Sequence, residues 1–124
     1  MRYLLDSNIL ITLALDANAA LADRAAECDA DEMVTSVIAY AEVVHGSVRG
    51  KPLSFIGLET LIEEVPVLPF DYAAARAYAT LRFRRASYDH LIAAHALALG
   101  LTVVTDNEAD FADVPGLKVE NWTG

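Results

Sequence analysis

The chain has a single cysteine, Cys28, in 124 residues. An internal disulfide is therefore excluded, which agrees with a reducing cytoplasm. Cys28 has no base beside it in sequence and reads as a small apolar residue rather than a nucleophile. Long hydrophobic runs are also missing. The longest, Leu91 to Leu101, is broken by His95 and Gly100 and falls short of the ~20 residues that span a bilayer, so no membrane segment is expected. Near the N-terminus Asp6 and Asn8 interrupt any apolar core of a secretory signal, so none is expected there. No Cys/His set has the spacing of a zinc site, and no internal repeat is visible. Basic charge is scarce: 9 Lys and Arg stand against 18 Asp and Glu, a formal net charge of −9. A protein that holds nucleic acid by charge alone is usually basic. Two meanings of the acidity remain. It is ordinary surface charge, or some carboxylates are gathered to hold divalent cations, which reverse the sign of the local field. The placement of the acids has to decide.

What is present is apolar. Hydrophobic residues make up 55% of the chain, above the roughly 45–50% of ordinary globular proteins. The length fits one domain, residues 1–124, with a sizeable core. Tyr3 to Leu5 reads as a buried strand ending at Asp6. Ser7 or Asn8 then caps a helix through Ile9, Leu10, Leu13 and Ala14. An alanine-rich helix runs from Ala19 to about Cys28. Met33 to Thr35 is the second strand, and Ser36 caps a helix to about Val48. After the break at Gly50-Lys51-Pro52, a helix covers Leu53 to Glu63. Val65 to Leu68 is a third strand, with Pro66 tolerated only at an incompletely paired edge. Asp71 opens a helix through Leu81, and Arg82 to Ala86 is a basic connection. Ser87 caps a helix from Tyr88 to Leu99, closed by Gly100. Leu101 to Thr105 is a fourth strand, and Leu117 to Val119 a possible fifth. Short continuous apolar strands alternating with helices predict a three-layer α/β/α sandwich. Its parallel sheet of four to five strands would be covered on both faces.

In such sheets ligands bind beyond the carboxyl ends of the strands. Asp6 follows the first strand, and Asp106 and Asn107 follow the fourth, so both positions fall at one sheet edge. Neighbouring acids repel unless a cation intervenes. Glu42, six residues after the Ser36 cap, either faces solvent or projects into a polar pocket. Asp89 lies in the first turn of a helix that is apolar nearly all round, hence central. It either complements the positive helix end or joins the acids at the strand ends. Oxygen-rich side chains converging there suit a hard cation such as Mg²⁺, which takes one or two carboxylates and keeps several waters.

Six segments, in this order and spacing, resemble the VapC-type toxins of the PIN-domain ribonuclease family over essentially the whole chain. They are Tyr3 to Ile11 (with Leu5-Asp6-Ser7-Asn8), Thr35 to Gly46 (with Ala41-Glu42-Val43-Val44), and Val67 to Asp71. The others are Tyr88 to Gly100 (with Tyr88-Asp89-His90), Val103 to Phe111 (with Thr105-Asp106-Asn107), and Val114 to Trp122. The resemblance implies a PIN-like sandwich and a metal-dependent endoribonuclease that hydrolyses RNA phosphodiester bonds with a metal-activated water. Mg²⁺ is the expected cofactor, with Mn²⁺ as a substitute. It places Asp6, Glu42 and Asp89 on the family's three acid positions. The fourth, after the last core strand, falls on Asp106, Asn107 or Asp110. Ser7, Asn8 and Thr105 would support these acids by hydrogen bonding. It further implies a VapB-like antitoxin partner that blocks the site with a basic side chain, and frequent homodimers. The alanine-rich first helices and Leu53 to Leu61 are candidate surfaces for such contacts. One departure stands out. The stretch Arg82 to Tyr88 is short where the family usually carries a longer, glycine-containing one.

Of the nine basic residues, Arg76, Arg82, Arg84 and Arg85 cluster before Asp89, and Arg49 and Lys51 follow the Glu42 helix. As a group Arg82, Arg84 and Arg85 are candidate RNA phosphate contacts; singly, each reads as surface charge. His95 reads as a hydrogen-bonded core residue, and Phe111 and Trp122 as packing for the C-terminal tail. His45 and His90 neighbour the acids in sequence and are candidates for a supporting role only. A receiver-type signalling domain would also gather acids at strand ends. It would need an acid pair where Asp6-Ser7 stands and a phospho-acceptor Asp where Leu68 leads into Pro69. A binding module that keeps the fold with a degenerate site would need a loss elsewhere, since Asp6, Glu42 and Asp89 are all present.

Overall fold

Tyr3, Leu4 and Leu5 are all buried, as a strand covered on both faces must be. They form β1 (Tyr3–Leu5), the middle of a five-stranded, wholly parallel sheet in a computed structural model that describes all 124 residues. β2 (Met33–Ser36) and β4 (Thr102–Val104) flank β1, with Leu4 opposite Val34 on one side and Val103 on the other. β3 (Val67–Leu68) and β5 (Val119–Glu120) are the edges, giving the order β3-β2-β1-β4-β5. Edge strands of two residues offer little unpaired backbone to another chain. The chain runs outward one way from β1 to β3 and the other way from β4 to β5. The strand order therefore reverses between β1 and β4, which is where such a sheet opens a crevice.

Six helices flank the sheet: α1 (Ser7–Ala14), α2 (Ala19–Ala26), α3 (Val37–Ser47), α4 (Phe55–Ile62), α5 (Tyr72–Ala79) and α6 (Tyr88–Leu99). Helices α1, α3 and α4 pack on one another, α5 lies along α6, and α3 also meets α6. The expected three-layer α/β/α architecture is what the chain adopts. α6 is buried at Ile92, Ala93, Ala94, His95 and Ala96, with almost no exposed side, and its alanines let neighbouring elements approach closely. His95 is the satisfied core residue the sequence suggests. Its Nδ1 sits 2.8 Å from Ser36 Oγ, its ring meets Phe70 edge-on, and the Pro69 carbonyl takes a hydrogen bond from it. Trp122 packs edge-on against Tyr3 at 4.8 Å beneath the Arg24 guanidinium, and Phe111 is buried, so both aromatics do hold the C-terminal segment.

Several boundaries differ from the sequence reading. Asp6, not Ser7 or Asn8, is the N-cap of α1. α2 ends at Ala26 rather than Cys28, α4 starts at Phe55 behind a Ser54 cap, and α5 stops at Ala79. Val65 and Leu101 are buried yet lie outside their strands, because apolar turns pack into the core as well as strands do. The Pro66 carbonyl accepts from Thr35 N at 2.9 Å, so this edge strand keeps a bond that does not require a proline N–H. The fifth strand starts at Val119. Leu117 belongs to the preceding turn, its N–H reaching the Val114 carbonyl.

Gly100 closes α6 at φ 68°, ψ 31°, and Leu101 N reaches the Ala96 carbonyl at 2.9 Å across it. A Cβ there would meet no atom within 4 Å. Gly100→Ala is thus expected to cost about 1 kcal/mol, from backbone strain alone. Urea unfolding should show that loss with an unchanged m-value.

Candidate active site

Asp6 is fixed at the crevice by the end of β4 and by the first residue of α1. Asp6 N donates to the Val104 carbonyl at 3.0 Å, tying the end of β1 to β4. Its Oδ1 accepts from Ser7 N at 2.7 Å, and its Oδ2 accepts from Thr105 Oγ1 at 3.0 Å. Thr105 Oγ1 in turn accepts from Asn107 N at 3.1 Å, so one hydroxyl joins Asp6 to the segment after β4. Thr105 is thus the supporting hydroxyl expected from sequence. Ser7 contributes its backbone N–H, and Asn8 is exposed. The Asp6 side is only 4% exposed. Burial pushes its pKa up, the two hydrogen bonds pull it down, and the charges of Asp106 and Asp110 push it up again.

Glu42 and Asp89 face the same place from α3 and α6. Burial raises Glu42 to about 7, and the charges of Asp6 and Asp89 add to that. Burial likewise raises Asp89 to about 6, with Asp6 and Asp110 adding to it and His90 opposing. The charge of Asp6 reaches both Glu42 and Asp89, and that of Asp89 reaches Glu42, so side chains 36 and 47 residues apart in sequence meet in one field. Glu42 Oε1 is shut off from solvent and has no hydrogen-bond partner. A buried acceptor left bare in this way costs on the order of 1–3 kcal/mol. Of the two sequence readings of Glu42, the pocket is the one realised. Asp89 satisfies both of its readings, since it stands in the first turn of α6 and also faces the acids.

Beyond β4, Asp106, Asn107 and Asp110 are all exposed. Asn107 precedes a short 3₁₀ turn, Glu108–Phe111, without capping it by its side chain. The turn carries Asp110 back over the site, so its charge reaches both Asp6 and Asp89, whereas that of Asp106 registers on Asp6 alone. No three His, Cys, Asp or Glu side chains close into a metal cage. The arrangement is an open, mutually repelling set of carboxylates.

His90, a candidate for a supporting role, holds the α6 end in place through a partner that the sequence did not suggest. His90 is buried, with Nε2 2.9 Å from Asp113 Oδ2 and Nδ1 2.9 Å from Ser87 Oγ. Phe83 stacks on its ring at a centroid distance of 4.4 Å. The short Arg82 to Ser87 connection is pinned there. Arg82, Arg84 and Arg85 are exposed around it, and none takes part in an ion pair. Asp113 carried no recognisable signal. Its partner lies 23 residues away across a turn.

The family model for the PIN domain matches residues 3–117. The chain belongs to the PIN-domain family. It is 31% identical to ribonuclease VapC1 of Haemophilus influenzae, with 99% of each chain covered, and 27% identical to the tRNA(fMet)-specific endonuclease VapC of Shigella flexneri, again over 99% of each. It superposes on the solved structure of VapBC2 from Rickettsia felis bound to a fragment of its promoter DNA with a TM-score of 0.88. That match has 25% identity and covers 98% of this chain and 99% of that one. This PIN domain is therefore of the VapC type and a nuclease, a hydrolase of phosphodiester bonds. No helix in it is long and apolar enough to cross a membrane.

Proposed function

We propose that this PIN domain is a Mg²⁺-dependent endoribonuclease, the toxin of a type II toxin–antitoxin pair, with Mn²⁺ able to replace Mg²⁺. The observation that carries the metal dependence is Glu42. A carboxylate raised to about 7 by burial and by Asp6 and Asp89, with one oxygen bare of any partner, is a ligand set in need of a cation. An open set of acids, rather than a closed cage, fits an ion that takes one or two carboxylates and fills its shell with water and substrate oxygens. Asp6 and Asp89 would hold the metal, with Glu42 beside them. Of the three candidates for the fourth position, Asp110 has the most support, because its charge reaches both Asp6 and Asp89. Asp106 and Asn107 then serve the rim.

When bound, the divalent ion neutralises the acids, lowers the pKa of a water and stabilises charge on the phosphoryl oxygens. The protein does the remaining work. Thr105 and Ser7 N hold the Asp6 carboxylate in one orientation. Glu42, facing Asp6 and Asp89, would orient the attacking water, whose proton is lost to solvent. Attack in line on phosphorus forms the new P–O bond and expels the 3′ oxygen, which takes up a proton. The products carry a 5′-phosphate and a 3′-hydroxyl. Arg82, Arg84 and Arg85, free of ion pairs, would contact RNA phosphates on the approach to Asp89.

A VapB-like antitoxin is the proposed protein partner, and a second copy of the toxin the proposed neighbour in the complex. The net charge of −9 favours a partner with basic side chains. On α4, Phe55 and Ile56 are exposed at 50% and 78%, an apolar face within the segment singled out in the sequence for such contacts.

Cleavage of a pool of tRNA and other structured RNA, with Mg²⁺, with Mn²⁺ and with EDTA, tests this. The expected result is cleavage with either metal, none with EDTA, and recovery when Mg²⁺ is added in excess. Cleavage indifferent to EDTA, or products ending in a cyclic phosphate, would rule the mechanism out.

A further inference from the structure

Beside the acids lies a cavity of about 390 Å³, lined by Ile38, Ala41, Glu42 and His45 of α3 and by Tyr88 of α6. It is not the crevice at the strand ends, although Glu42 belongs to both. Its size is at the low end of ligand clefts, which run from ~300 to 1,000 Å³. The walls are of two kinds. Ile38 and Ala41 are apolar, and His45 and Glu42 bring polar atoms. Tyr88, 63% exposed, precedes Asp89 directly and keeps its ring open to solvent.

We propose that this cavity holds one nucleobase of the RNA, adjacent to the scissile phosphate, with Tyr88 as the stacking platform and His45 as a hydrogen-bonding edge. The proposal rests on the nuclease reading above and adds a specificity-determining residue to it. Three observations favour a base as the occupant. Glu42 forms a wall of the cavity and faces Asp6 and Asp89, so whatever fills the cavity lies next to the reacting phosphate. Arg49 donates to the His45 carbonyl at 3.2 Å beside the cavity, and Arg84 and Arg85 precede Tyr88 closely in the chain. None of these cations has an acidic partner, so phosphates next to a bound base have cations available. A cavity with one exposed aromatic wall beside apolar side chains also suits a base, since single-stranded RNA is gripped by stacking unpaired bases on aromatic side chains.

The test uses a short RNA whose cleavage site has been mapped with the wild-type protein. Abasic substitutions are walked through the nucleotides around that site. With wild type, one abasic position next to the cut should raise KM on the order of tenfold, as expected for loss of one stacked base, with kcat nearly unchanged. Tyr88→Leu should raise KM for the intact RNA by a similar factor and be insensitive to the abasic position, while Tyr88→Phe behaves as wild type. Ala41→Leu, which fills the cavity from an exposed helix position and leaves Tyr88 in place, should copy Tyr88→Leu. 2-Aminopurine at the sensitive nucleotide should be quenched on mixing, before turnover, by wild type and not by Tyr88→Leu. Equal KM for Tyr88→Leu and wild type, or an abasic effect that persists in Tyr88→Leu, overturns the base pocket while the nuclease reading stands. A Tyr88→Leu protein altered only in its affinity for the antitoxin gives the cavity to that protein and also overturns the proposal. Failure of every RNA to be cleaved in Mg²⁺ overturns the nuclease reading itself.

Discussion

Asp89→Asn will lower the rate of RNA cleavage at saturating Mg²⁺ by about a thousandfold and leave the metal-free protein at least as stable as wild type. The first half follows from the field at the crevice. Asp89 is one of the three acids that face one another, and its amide cannot supply the charge that a divalent ion requires. The second half follows from what Asp89 does not do. Burial and neighbouring charges shift it, and no hydrogen bond contributes, so the amide breaks no bond within the chain. Losing a negative charge at the start of α6 costs about 0.3–1 kcal/mol, which removal of the repulsion with Asp6 and Asp110 offsets. Asp6→Asn should lose as much activity but also lose stability. Its Oδ2 accepts from Thr105 Oγ1, which itself accepts from Asn107 N, and an amide nitrogen there would present a donor to a hydroxyl that already donates. Single-turnover cleavage and thermal melts in EDTA separate the two variants. Cleavage by Asp89→Asn within tenfold of wild type would refute the proposed use of the acids.

The contrast between these acids also marks how far the sequence could be read. Asp6 and the Asp106 position were legible because strands ending in acids need only a parallel sheet to bring them to one edge, and alternation of short apolar runs with capped helices predicts that sheet. Glu42 was marked only by the resemblance, and spacing left its direction open, because α3 carries apolar residues on several sides and only its packing on α1, α4 and α6 decides which way position 42 points. The candidates after β4 were undivided for a similar reason. Whether Asp106 or Asp110 turns inward depends on a four-residue 3₁₀ turn, too short to have a periodicity. Strand limits were misplaced by one or two residues where buried turn residues such as Val65 and Leu101 extend an apolar run past its pairing. The His90–Asp113 contact and the cavity under Tyr88 were invisible, since each joins elements whose meeting is a matter of packing alone.

Mg²⁺ should raise the melting temperature by roughly 5–10 °C at pH 8, at about a hundred times its Kd, and by almost nothing at pH 5. Glu42 is raised from 4.5 to about 7 and Asp89 from 3.8 to about 6. The folded state therefore binds these two protons more tightly than the unfolded state does. Stability from them is fully present below about pH 4, and it is lost as the pH rises through about 6 and then about 7. Over the same interval the carboxylates become available to a cation, whose binding must displace the protons, so its affinity climbs as the metal-free fold weakens. His95 has the opposite sign. Its pKa is lowered from 6.5, chiefly by burial, so its contribution holds at higher pH and is lost as the pH falls. A single melting curve against pH mixes the two, and Glu42→Gln separates them. That variant keeps His95 and removes one of the two raised carboxyls. Its metal-free stability should exceed that of wild type at pH 8, converge with it near pH 4, and respond much less to Mg²⁺. Parallel curves for the two proteins from pH 4 to 8 would mean that Glu42 titrates as an ordinary surface acid and that the crevice needs no cation.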